Sequence, residues 1–236
     1  MKRKGFTRFG IACLSVGVLS AGLLYGGESA AKRLQTAGVV FTEIMGTPDK
    51  GIPQDLLESS QCIVIVPGEK KVAFIFGGNY GRGFMLCRHA SGLGWSAPAG
   101  VKIEGGSLGF QIGGSETDVI MLVRNKRGAE KLLSDKFTLG ADASVAAGPV
   151  GRTSSADTDA MLHAEILSYS RSRGAFAGIS LDGATLRPDH DSNAELYGGK
   201  LTNEQIVMGH IESPASGSKL TAELDRYSAR KSAQKD

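Results

Sequence analysis

Few residues in this chain have the type and spacing to do chemistry. Asp189, His190 and Asp191 are contiguous, with Asp182 upstream, and carboxylates with an imidazole can in principle hold a divalent ion. Contiguous side chains cannot all turn toward one ion, however. Asp191 followed by Ser192 equally suits a helix cap for NAELYG, and a cap or solvated loop is the stronger reading. His89, His163 and His210 lack ligand spacing and read as surface or hydrogen-bonded histidines. Serine is plentiful, yet no G-x-S-x-G elbow occurs, and Ser107 and Ser115 beside glycines read as turn residues. The stretches GGNYGRG and GGSLGFQIGG follow neither the G-x-x-x-x-G-K-[ST] nor the G-x-G-x-x-G order, and both pass between strands instead of opening a helix. The residues therefore argue against an enzyme and against nucleotide binding, and no cofactor or metal is expected.

Positive charge is the remaining signal. Lys32-Arg33, Lys70-Lys71, Arg124/Lys126/Arg127/Lys131 and Arg171/Arg173 each bring two or more cations close in sequence. Any one pair is ordinarily a solvated face. Near an anionic bilayer each charge contributes about 1 kcal/mol, so one pair binds negligibly. Several pairs converging beside an apolar helix would bind measurably. The background is neutral. Residues 1–31 hold four of the 27 Lys/Arg and one of the 24 Asp/Glu, which leaves 23 of each sign in 32–236. No overall field draws that part of the chain to nucleic acid or lipid, so any such binding is local.

The elements that would position these residues begin after a targeting segment. Lys2, Arg3, Lys4 and Arg8 precede a short apolar run over 11–25, and Ser29-Ala30-Ala31 offers a small-residue cleavage site, so residues 1–31 read as a signal for export and the mature chain as starting at Lys32. An uncleaved anchor is the alternative, although fifteen apolar residues fall short of the ~20 that span a bilayer. The remainder reads as one domain. Leu34, Ala37, Phe41 and Ile44 form a helical stripe within 32–46, and IPQDLLESS follows with Pro53 in a first helical turn. CIVIVP is a buried strand, Lys70-Lys71 a turn, and VAFIFGG a returning strand. Short glycine-cut strands continue to Asn125, which caps a helix over KRGAEKLLS. ILSYS, the turn Arg171-Ser172-Arg173-Gly174 and AFAGISL favour a hairpin. Thr202 to Gln205 reads as a capping box, and Leu220, Leu224 and Tyr227 give a last amphipathic turn. This is an α+β fold: a glycine-rich, mostly antiparallel curved sheet with a few short flanking helices. Cys62 and Cys87 lie in apolar strand-like runs. Two buried thiols are favoured over a disulfide, which would require the two strands to be neighbours.

Residues 137–183 are especially rich in Gly, Ala and Ser around a Tyr and two Arg, a composition suited to close backbone packing and a presented basic loop. With IPQDLLESSQCIVIVP, FGGNYGRG, GWSAPAG, GGSLGFQIGGSETDVIMLV, KFTLGADASVAAGPVGR, SYSRSRGAFAGISLDG and a closing YGG in that order, the chain over 51–198 resembles the SYLF domain family. The resemblance implies a SYLF-like domain over 32–236 with a core of about 51–200, and a non-enzymatic protein that binds acidic phospholipid through an N-terminal amphipathic helix and basic residues. Eukaryotic members bind phosphoinositides, and fungal members bind actin. For an exported protein an anionic bacterial lipid is the expected ligand, in the periplasm or at a membrane on its outer side. Carried onto this chain, the resemblance implies Lys32 and Arg33 on the first helix and Arg171 and Arg173 in the SYSRSRG turn, beside Lys70 and Lys71 from the charge pattern. Ala175 stands where members usually have Leu, which trims an apolar contact. The alternative is a structural module that binds a protein partner and no lipid.

Overall fold

The computed structural model describes residues 28–47, 51–73, 77–107, 113–151, 163–172, 175–179 and 181–229, with the side chains of 70–73, 77–79, 106–107 and 113–116 left out. The apolar run over 11–25, expected to act in export, and Arg173 lie outside the described residues, as does the polar stretch SSADTDA.

Among the described residues nine strands form one sheet in the order β5-β9-β3-β2-β1-β4-β7-β6, with β8 added on β7. In chain order they are β1 (Cys62–Ala73), β2 (Gly77–Cys87), β3 (Ala99–Ser107), β4 (Gly113–Val123), β5 (Phe137–Thr138), β6 (Val145–Ala147), β7 (Ile166–Ser172), β8 (Ala175–Gly178) and β9 (Thr185–Pro188). All pairings are antiparallel except β6 with β7. The curled α+β architecture agrees with the expectation from sequence. The helices are α1 (Ala30–Met45), α2 (Gln54–Ser59), α3 (Lys126–Leu132), α4 (His190–Tyr197), α5 (Asn203–Met208) and α6 (Ser218–Tyr227).

Residues 62–66 of β1 and 119–123 of β4 are apolar at every position because both faces of the sheet are covered there. Cys62, Val64 and Val66 of β1 and Val119, Met121 and Val123 of β4 face one core, which α3, α5 and the curled β5–β9 edge close with Leu132, Phe137, Leu186 and Ile206. Ile63, Ile65, Ile120 and Leu122 face the other, where α1, α2 and α6 supply Leu34, Phe41, Leu57 and Leu224. Period-two alternation thus sorts one apolar run into two cores.

Three local expectations change. Lys70 and Lys71 are not a turn but part of β1, paired with Tyr80 and Asn79 of β2 and with Glu116 and Ser115 of β4. The strand continues because the chain bulges instead at Pro67-Gly68, where the register shifts against both neighbours and Gly68 takes a left-handed φ of 61°. Cys62 and Cys87 are buried as expected, yet they are bonded to each other instead of being free thiols. The β1–β2 register sets them directly opposite, with Cα atoms 4.0 Å apart. The cap of α4 is Asp189, whose side chain accepts from the Ser192 amide, and not Asp191. Asn125 and the Thr202/Gln205 capping box serve as expected.

Close packing in the segment rich in small residues has a specific cause. A Cβ at Gly148 would run into the Tyr169 ring, and one at Gly178 into the Gly148 carbonyl. Tyr169 is fully buried and stacks on Phe176 at 5.3 Å.

Candidate functional site

The cations expected to meet lipid whose side chains are described, Lys32, Arg33 and Arg171, do not share one surface role. Lys32 is exposed in the first turn of α1. Arg33, next to it, turns inward and is 7% exposed, donating to Ser192 Oγ at 3.1 Å and to the Glu28 carbonyl at 2.6 Å. Burial, together with the nearby Arg82 charge, lowers its pKa. The apolar stripe of α1 is buried with it: Leu34, Val40, Phe41 and Ile44 pack over Ile63, Ile65 and Phe84. The helix begins at Ala30, within the small-residue junction expected from sequence. Ser29 caps it by accepting from the Lys32 amide, and Ala30 N donates to Glu195 Oε1 at 2.8 Å.

Arg171 occupies β7 directly opposite Asp118 of β4. Its Nε and Nη2 each lie 2.8 Å from Asp118 Oδ2, and its Nη1 donates to Glu43 of α1. Burial opposes its charge, but the two carboxylates more than offset this and its pKa is raised. Lys70 and Lys71 lie further along β1.

The strand register assembles a second charged group that is dispersed in the sequence. Arg82 of β2 pairs with Lys102 of β3, which pairs with Arg187 of β9. Behind this row sits Asp189, wholly buried, which accepts from Arg82 Nε at 2.6 Å and Nη2 at 2.7 Å and from Ser192 Oγ at 2.7 Å. Lys102 Nζ lies 3.5 Å from Asp189 and 3.6 Å from the exposed Asp191. Burial alone would raise the Asp189 pKa, but the hydrogen bonds from Arg82 and Ser192 and the Arg82 charge pull it down to about 2. These groups tie α4 to the sheet and to α1, and they leave Asp189 no free coordination. Among the described residues no three His, Cys, Asp or Glu side chains are arranged to hold a metal ion.

A third feature is the far end of the sheet. The β3–β9 pairing stops at Glu104 and the β4–β7 pairing at Asp118. Beyond that line β3, β2, β1 and β4 continue as a four-stranded extension over 104–107, 77–80, 70–73 and 113–116. Its rows across β3-β2-β1-β4 read Glu104–Tyr80–Lys70–Glu116, Gly105–Asn79–Lys71–Ser115, Gly106–Gly78–Val72–Gly114 and Ser107–Gly77–Ala73–Gly113. The two cores take side chains from 62–66, 84–87, 99–103 and 119–123 of these strands. Tyr80 is an exposed aromatic on it. Among the described residues no helix is long and apolar enough to cross a membrane.

Comparison with known proteins places this architecture. The sequence model of the Ysc84 family, described as Las17-binding protein actin regulator, matches residues 104–227. An SH3 domain-containing protein of Schizosaccharomyces pombe is 35% identical over 172 residues, 72% of this chain and 40% of the relative. LAS seventeen-binding protein 3 of Saccharomyces cerevisiae is 33% identical over 188 residues, 78% of this chain and 40% of the relative. SH3 domain-containing YSC84-like protein 1 of Bos taurus is 31% identical over 206 residues, 86% of this chain and 60% of the relative. This chain thus spans about two fifths to three fifths of the length of these relatives, two of which are named for an SH3 domain and one for binding LAS seventeen. With that match and the ordered motifs over 51–198, the chain belongs to the Ysc84, or SYLF, family.

Proposed function

We propose that this chain is a non-enzymatic, exported docking module that meets anionic phospholipid with the four-stranded end of its sheet. The observation that carries the reading is the register that sets Lys70 and Lys71 on a strand continuing past the ends of the β3–β9 and β4–β7 pairings. Glycines make up much of that end, so its backbone can approach a flat partner closely. The Cys62–Cys87 bond supports an oxidising compartment, which agrees with the export-like N-terminus. Insertion of α1 is not part of the proposal. Its four large apolar side chains contribute about 2 kcal/mol each where they are, and lifting the helix would also uncover Ile63, Ile65 and Phe84. Basic pairs at about 1 kcal/mol per charge do not offset that.

Vesicle flotation tests the proposal. Wild-type protein should float with vesicles of phosphatidylglycerol in phosphatidylcholine and lose binding as salt rises. Lys70→Glu/Lys71→Glu should reduce binding at least tenfold. Equal flotation with pure phosphatidylcholine, or wild-type binding by the double variant, would refute it. The second reading, a module for a protein partner without lipid binding, is favoured by the relatives' names. It predicts no flotation on either vesicle and a pull-down that survives the double variant.

A further inference from the structure

Arg171 belongs to the SYSRSRG turn that the family resemblance assigns to lipid, yet both its faces are taken by carboxylates and its side chain is 21% exposed. Asp118 is the link that matters. One of its oxygens, Oδ2, receives Nε and Nη2 of Arg171, while the other, Oδ1, accepts the Gly68 amide at 3.0 Å. Gly68 is the left-handed residue of the β1 bulge, and the shifted register lies on both sides of β1 at this point. A bulge leaves a backbone group without its ladder partner, and the Asp118 carboxylate supplies the acceptor. The strand facing the bulge is shaped for it: a Cβ at Gly83 would run into the Ile65 carbonyl, and one at Gly81 would meet Val66 Cγ1 at 2.6 Å. The bulge sits where the β4–β7 pairing ends and the four-stranded extension begins. The other arm of Arg171 reaches Glu43, so α1 is fastened to the same point.

We infer that Arg171 is a positioning residue: through Asp118 it fixes the Pro67-Gly68 bulge, and so sets the direction in which the extension with Lys70 and Lys71 leaves the body. This deepens the docking proposal and rests on it only for the consequence at a membrane. The role depends on the forked guanidinium, which bonds Asp118 twice and Glu43 once. A lysine keeps the charge but not the fork.

Hydrogen exchange on the full chain, read on peptides covering 66–70, tests the inference without any lipid. Arg171→Lys, Arg171→Gln and Asp118→Asn should each speed exchange there at least tenfold, with α6 unchanged as the internal control for folding. Lys32→Gln should do nothing. Flotation on phosphatidylglycerol vesicles gives the second readout. If Arg171 positions, the lysine variant binds as weakly as the glutamine variant and both keep the wild-type salt dependence. Exchange at 66–70 unchanged in all three variants would overturn the inference. So would a lysine variant that binds like wild type while the glutamine variant loses binding and flattens the salt dependence. Absence of vesicle binding by the wild type would refute the docking proposal and leave the exchange result to decide this one.

Discussion

At the level of single residues, Asp189 shows how charge chemistry can be consumed by structure. It sits in the tripeptide that suggests a metal ligand, but it caps α4 and neutralises Arg82 inside the fold. Its folded-state pKa of about 2 lies below the ordinary 3.8. The ionised form therefore favours folding, with that contribution complete above about pH 4 and lost as pH falls toward 2. Asp189→Asn keeps a capping side chain but removes the charge. The variant should lose about 2 kcal/mol at pH 7 and show a flatter fall in stability between pH 4 and pH 2 in urea titrations. An unchanged slope over that window would contradict the assignment. The helix-cap chemistry here was legible in the sequence to within two residues, since an Asp near a short helix suits a cap on type alone. The partners were not legible: Arg82 and Lys102 stand 107 and 87 residues away from Asp189 and are brought to it by strand register. Neighbouring cations in sequence were a poor guide for the same reason. Lys32 and Arg33 are adjacent, yet helix geometry sends one to solvent and the other into the protein.

Among the elements, those with strong local signals follow the sequence closely. The helical stripe of α1, the capping box of α5 and the hairpin of β7 and β8 form where periodicity and turn chemistry place them. The β1–β2 region departs because its decisive feature is a bulge. Two lysines look like a turn when read locally, whereas the bend is made two residues earlier by Pro67-Gly68 with the help of Asp118 from another strand. The same register decides the cysteines. The sequence left a disulfide conditional on the strands being neighbours, and they are. The bond closes a loop of 25 residues. In the chain-entropy account it should contribute about 3 kcal/mol by restricting the unfolded chain. Cys62→Ala/Cys87→Ala should lower the unfolding free energy by about that amount in urea, and the peptides containing these cysteines should resist alkylation in denaturant until reductant is added. Ready alkylation without reductant would show the bond absent.

For the molecule as a whole, the sheet has a half covered on both faces and a four-stranded extension beyond the β3–β9 and β4–β7 pairings, and this division gives the docking proposal its physical basis. In the covered half both faces are buried, the helices are held by Arg33, Asp189 and Arg171, and the expected membrane helix is part of the core. In the extension four strands continue, with Lys70 and Lys71 on one of them. Composition indicated a glycine-rich curved sheet and no net charge over 32–236, but not which end would extend past its flanking strands, because that depends on where β7 and β9 stop pairing. Hydrogen exchange of the protein bound to phosphatidylglycerol-containing vesicles is the most direct measurement. The account predicts new protection confined to 70–73, 77–80, 104–107 and 113–116, with α1 exchanging as it does in the free protein. Protection appearing instead on α1, together with faster exchange around Ile63 and Ile65 as the helix leaves the sheet, would contradict it.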